Sequence, residues 1–186
     1  DPIPSRGLGD VYKRQATDGV FSMDGTYANL PEISRLAKIY DALVMVDDCH
    51  ATGFVGTKGK GTSEYFGVNV DILTGTLGKA LGGAIGGYIA GPQRVIDMLR
   101  QRARPYLFSN SLPPVAIAAG LEAINIINES DYLRKKLHKN SIYWRKGLKA
   151  LGFDLIEGEH PIIPVMLGDA LLSQKMAERL FDLGVY

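Results

Sequence analysis

Hydrophobic and polar positions along the chain change period several times, and the changes mark alternating strands and helices. Gly19-Val20-Phe21-Ser22-Met23 is a short apolar run stopped by Asp24-Gly25, which predicts a strand followed by a turn. Pro31 stands where a helix can open without losing a needed N–H. Leu30, Ile33, Leu36, Ala37 and Tyr40 follow at helical spacing, so one face of that helix is apolar. Leu43-Val44-Met45-Val46 is apolar without alternation, the pattern of a strand covered on both faces. Strand, helix, buried strand is the βαβ signature of a parallel sheet.

Residues 52–67 are rich in glycine and polar side chains and read as a loop. Residues 70–74 and 84–90 read as further strands, the second carrying Gly86-Gly87 for close backbone approach. A helix is expected from Pro92 to about Arg104, with Val95, Ile96 and Leu99 inward and Arg94, Arg100, Arg102 and Arg104 on a solvated face. Residues 106–111 read as extended, residues 115–127 as a strongly apolar helix, and residues 131–151 as a long charged amphipathic helix ended by Gly152. Strands over 153–156 and 162–166 and a helix over 170–183 complete the pattern. The return to strands after the charged helix divides the chain into a larger part, residues 16–128, and a smaller one, residues 129–186. Residues 1–15 have no sustained period and are set outside the fold as a non-native or disordered segment. Gly184-Val185-Tyr186 looks like the entry to another strand, so the chain is expected to be a piece of a longer one.

Composition narrows the classes. The 186 residues are 46% hydrophobic and 22% charged, with a formal net charge of +1, in the range of globular proteins and without the basic excess that a nucleic-acid partner calls for. No apolar run reaches the length of a membrane span. A single cysteine excludes an internal disulfide and fits a reducing, cytoplasmic location.

The candidate chemistry gathers where strands end. Open α/β sheets bind ligands beyond the carboxyl ends of their strands, and Asp47, His50, Thr76 and Lys79 fall at or just past such ends. Lys79 sits in Thr74-Gly75-Thr76-Leu77-Gly78-Lys79-Ala80-Leu81-Gly82-Gly83. A phosphate-loop lysine would require G-x-x-x-x-G-K-[ST], and Leu73 and Ala80 break that motif at both ends. Small neighbours and glycines suit instead a lysine that bonds covalently to a carbonyl carbon and swings. Asp47 after a buried strand requires a cation, and a protonated pyridine nitrogen is one. A metal site from Asp47, Asp48, Cys49 and His50 is disfavoured because adjacent residues do not all point at one ion. Cys49 reads as a small buried residue, and His138 and His160 as surface or structural residues.

Asp47-Asp48-Cys49-His50-Ala51-Thr52-Gly53, the lysine segment from Thr74 to Gly83, and Arg104-Pro105-Tyr106-Leu107-Phe108-Ser109-Asn110-Ser111 together resemble the α-oxoamine synthases. The resemblance runs from about Asp18 to the end and rests on motifs that keep the family's order. It implies the aspartate-aminotransferase fold (fold type I): part of the pyridoxal-phosphate-binding large domain, an α/β unit with a mostly parallel sheet, plus part of a smaller α+β domain. It implies pyridoxal 5′-phosphate as cofactor, with Lys79 as its covalent anchor and as the base at the glycine α-carbon. Asp47 would pair with the pyridine nitrogen, His50 with the phenolic oxygen, and Thr76 with the phosphate. Ser22 matches a cofactor-contacting serine, and Ser109 and Asn110 would reach the phosphate of a second subunit in a homodimer. The reaction implied condenses glycine with acetyl-CoA to 2-amino-3-oxobutyrate and CoA, reversibly, as in threonine degradation. A member using another acyl-CoA, a non-catalytic dimerisation module, and a nucleotide-binding domain are the alternatives. The family's ring-stacking histidine and its carboxylate-binding arginine have no counterpart here, so the 186-residue chain alone is expected to turn over little or nothing.

Overall fold

A computed structural model describes residues 13–82 and 85–186. Among the described residues the chain forms two compact units, one of residues 13–21 and 27–134, the other of residues 22–26 and 135–186.

The first unit is built on a four-stranded sheet of order β1-β4-β5-β6. Its strands are β1 (Lys13–Asp18), β4 (Ala42–Asp47), β5 (Ile72–Thr76) and β6 (Gly87–Ala90); two short strands, β2 (Val20–Phe21) and β3 (Thr26–Tyr27), intervene. β1 runs parallel to β4, β4 parallel to β5, and β6 antiparallel to β5. The expected parallel α/β sheet is therefore present, with one antiparallel strand at an edge.

Helix α1 (Leu30–Ile39) crosses between β1 and β4. The Asn29 side chain accepts a hydrogen bond from Glu32 N at its start, Pro31 stands in the first turn, and Glu32 pairs with Arg35 at 2.6 Å. Leu30 and Ala37 from this helix pack with Ala28, Val44 and Val46 into a core that Ile33, Phe66, Val68 and Val70 extend. Each fully buried Leu or Val of this kind contributes about 1.5–3 kcal/mol. β4 differs from the sequence expectation in one respect: Val44 and Val46 are buried, while Met45 and Asp47 on the opposite face line an open cleft. The strand is closed on one face only within the described residues.

Other elements shift from their expected places. Residues 13–15, set outside the fold from sequence, lie in β1, whose ladder with β4 supplies the order that its polar sequence KRQATD does not signal. Residues 1–12 lie outside the described residues, and so does the rest of that reading. The strand expected at 70–74 runs from Ile72 to Thr76, and the one expected at 84–90 is β6, with residue 84 outside the described residues. Inside the expected loop lies α2 (Thr62–Phe66), closed by Gly67 in the left-handed region at φ 63°. Helix α3 spans Gln93–Arg102. The stretch expected to be extended instead opens as α4 (Arg104–Phe108), since Pro105 suits a helix's first turn, and becomes extended only from Ser109. Helix α5 (Pro114–Glu129) follows.

Helix α6 (Tyr132–Ala150) leads into the second unit, where β7 (Asp154–Leu155) pairs antiparallel with β8 (Val165–Met166) ahead of α7 (Ala170–Asp182). Arg145 donates to the carbonyls of Ile156 and His160, and the buried His160 accepts from Ile162 N at 3.1 Å. His160 is thus a structural residue, and His138 is exposed on α6, as their positions in sequence suggest. No helix among the described residues is long and apolar enough to cross a membrane.

Candidate active site at the carboxyl ends of β4 and β5

β4 and β5 run parallel in neighbouring positions, so their carboxyl ends open at the same edge of the sheet. Asp47 closes β4, and the turn after it carries Cys49 and His50. Lys79 lies just past β5, in a bend in which Gly82 N donates to Lys79 O. The two segments meet: Lys79 Nζ is 2.7 Å from His50 Nε2. Burial first, and then the positive charge of Lys79, hold the His50 imidazole below its ordinary pKa. A neutral imidazole can accept a proton bond from an ammonium at that distance.

Asp47 is held from two directions. Its Oδ1 accepts from Cys49 N at 2.9 Å, and its Oδ2 from the Thr74 hydroxyl at 3.0 Å. Burial alone would push this carboxyl up. The Cys49 and Thr74 hydrogen bonds and the Lys79 charge outweigh it, and the group stays below its usual range. Cys49 moves the other way: burial and the adjacent Asp47 carboxylate push its thiol up to about 11. Such a thiol is a poor nucleophile at neutral pH. Asp47 also lines an open cleft of about 400 Å³ with Ala16, Thr17, Asp18, Phe21 and Met45.

Asp48, the next residue, turns to the other face. It is 0% exposed, and its carboxylate accepts from Thr62 N at 2.8 Å and from the Thr62 hydroxyl at 2.6 Å. A side chain at Gly61, which has φ 95°, would run into that carboxylate. Asp48 therefore ties the start of α2 to the end of β4 and is not a ligand-facing group.

The remaining expected site residues are placed as follows. The half-buried Thr76 accepts from Gly78 N at 3.1 Å and donates to Gly86 O at 3.2 Å, so its hydroxyl serves the turn before Lys79. Ser109 and Asn110 are exposed on the extended link between α4 and α5. Ser22 is exposed in the turn between β2 and β3 and belongs to the second unit. The structure thus brings together Asp47, His50 and Lys79. Thr74 joins them through its hydroxyl, although in sequence it is only one of the residues before Lys79. Its partnership with Asp47 is visible only once the β4–β5 register sets the two opposite one another.

The sequence pattern of the family described as aminotransferase class I and II matches residues 12–186. The chain is 55% identical over 173 residues to the 2-amino-3-ketobutyrate coenzyme A ligase of Escherichia coli K12, covering 92% of this chain and 44% of that protein. It is 49% identical over 172 residues to an 8-amino-7-oxononanoate synthase of Thermoanaerobacter pseudethanolicus, covering 91% of this chain and 43% of the relative. A serine palmitoyltransferase of S. paucimobilis, solved with bound PLP and myriocin, superposes with a TM-score of 0.90 at 33% identity, over 95% of this chain and 47% of that one. The chain spans less than half the length of each of these proteins.

Proposed function

The chain belongs to the aminotransferase class I and II family and carries an α/β part of its fold-type-I architecture; from that premise we propose that it is part of an α-oxoamine synthase. In this reading the whole protein is a glycine C-acetyltransferase, which joins glycine to acetyl-CoA and releases CoA and 2-amino-3-oxobutyrate. The new bond links the glycine α-carbon to the acetyl carbonyl carbon, and the thioester C–S bond breaks. The observation that carries the reading is the meeting of Lys79 with His50 beside an ionised Asp47 at one sheet edge.

The cofactor is pyridoxal phosphate, and the residues present fit it. An ionised carboxylate with one protein donor on each oxygen retains lone pairs for a protonated ring nitrogen, and it lines a cleft rather than the core. When bound, the pyridoxal ring delocalises the electron pair left as a proton leaves the amino-acid α-carbon. Asp47 would hold the ring nitrogen, and His50 would orient the phenolic oxygen. Lys79 Nζ would bind the carbonyl carbon and move the proton at the glycine α-carbon. Thr76 would reach the phosphate by giving up its bond to Gly86 O. Ser22, Ser109 and Asn110 are assigned to cofactor contacts, the last two across a homodimer interface. The cytoplasm is the location we assign, on the single cysteine in the sequence.

The similarity to an 8-amino-7-oxononanoate synthase favours a second reading, another α-oxoamine synthase with a different acyl-CoA and amino-acid preference. Borohydride reduction of the full-length protein with its cofactor, followed by peptide mass mapping, should find the adduct on Lys79. Its absence there would remove the common basis of both readings. Turnover of acetyl-CoA against longer acyl-CoA thioesters, each with glycine and with other small amino acids, then separates them.

A further inference from the structure

The Thr74 hydroxyl is a polar group at the site to which no function has yet been given. We propose that Thr74 is a positioning residue for the cofactor: its hydroxyl, donated from β5 to Oδ2 of Asp47 on β4, fixes the plane of the carboxylate that receives the ring nitrogen. The proposal rests on the pyridoxal reading above.

A carboxylate on a strand end can rotate about its last single bond, and one hydrogen bond leaves that rotation open. Here each oxygen has its own donor, and the donors come from different segments. Cys49 N approaches Oδ1 from the turn that Asp47 itself begins, and Thr74 Oγ1 approaches Oδ2 from the neighbouring strand. Asp47 and Thr74 are partners in the β4–β5 register, so both side chains stand on the same sheet face by strand alternation. Threonine is β-branched and restricted at χ1, so its hydroxyl is delivered in a fixed direction at little entropic cost. Asp47 itself lines the cleft with Met45, Phe21 and Asp18.

The surroundings make that donor matter. Asp18 is the register partner of Asp47 on β1, and Asp48 follows it in the chain, so two other carboxylates lie close. Cys49, His50 and Tyr88 also feel its charge, and Lys79 supplies the facing cation. Among these groups, the Thr74 hydroxyl is a neutral donor that favours the ionised form without competing for the ring nitrogen.

The test uses the full-length protein, stripped of cofactor, as wild type and as Thr74→Val and Thr74→Ser. Equilibrium dialysis against pyridoxal phosphate from pH 5 to 8 gives the affinity and the pH at which it fails on the acid side. Thr74→Val keeps the shape and loses the donor, and should bind about tenfold more weakly, with the acid limit about one pH unit higher, as expected for a hydrogen bond to a charged group. Thr74→Ser should return both values to near wild type. Equal affinity and an unchanged acid limit in Thr74→Val would overturn the proposal, and so would equal losses in Thr74→Val and Thr74→Ser. If the valine variant does not fold, Thr74→Ala takes its place with the same expectation. A wild type that takes up no pyridoxal phosphate would instead bring down the underlying cofactor reading.

Discussion

Asp47 and Asp48 are consecutive residues at the end of one strand, yet they belong to opposite faces of the sheet and their carboxyl groups are pulled in opposite directions. The front face, where Asp47 stands with Met45, is open to a cleft, and its carboxyl is held below the usual range because hydrogen bonds and a lysine outweigh partial burial. The back face buries Asp48 completely, and burial, helped by the charge of Asp47, pushes its carboxyl up even though Thr62 donates twice to it. The difference teaches how one sequence element serves two purposes. Donors around an acid at the edge of a cleft keep it charged and available, and donors around a buried acid tie two segments together at an electrostatic cost.

The sharpest way to break the comparison is to neutralise the front acid. On the function proposed above, Asp47→Asn in the full-length protein should lower activity about a hundredfold or more, from the roughly 3–5 kcal/mol lost when a charge pair loses one partner. Its melting temperature should fall only slightly, and by less than that of a variant of the buried Asp48. Steady-state kinetics beside a thermal melt checks both halves, and wild-type activity in this variant would remove Asp47 from the site.

The back acid should give the reverse outcome. Asp48→Ala leaves the Thr62 N–H and hydroxyl buried without their acceptor, and should cost about 2–4 kcal/mol of stability by urea unfolding. Cofactor affinity of the fraction that remains folded should change little. A smaller effect of the same kind is expected one strand over, at Gly75. A methyl group there would strike the ring and hydroxyl of Tyr88, its partner across the β5–β6 ladder. Gly75→Ala should therefore destabilise by about 1–3 kcal/mol through overpacking, and replacing Tyr88 with a smaller residue in the same chain should recover part of the loss in a double-mutant cycle.

Much of this organisation is legible in the sequence where the signal is local. The unbroken apolar run at Leu43 to Val46, the helical spacing from Leu30 to Tyr40, and the small residues about Lys79 place the two strand ends that meet. What escapes depends on pairing or is too short to show a period. KRQATD carries only one apolar side chain and becomes a strand through its ladder with β4. Helices α2 and α4 are five residues each and complete little more than one turn, so periodicity has no room to appear. The opposite fates of Asp47 and Asp48 follow from strand alternation once the strand is known to end at Asp47, but the identity of their partners, Thr74 and Thr62, is set by register and by a loop return that no spacing rule encodes.

The last and smallest effect sharpens the comparison through pH. A carboxyl whose folded pKa is depressed contributes stability that is complete above its unfolded pKa and is lost as pH falls through its folded value. Asp47 is of this kind. A carboxyl whose folded pKa is raised does the opposite: its contribution is complete below the unfolded pKa and is lost as pH rises through the folded value. Asp48 is of this kind. Between acid and neutral pH the stability difference between wild type and Asp47→Asn should therefore grow as pH rises. That between wild type and Asp48→Asn should shrink over the same range. Urea unfolding of the three proteins at steps from pH 3 to 7 measures both slopes. Slopes of the same sign would mean that the two faces do not differ electrostatically, because a shared influence such as overall charge moves both carboxyl groups together, and only separate local environments drive them apart.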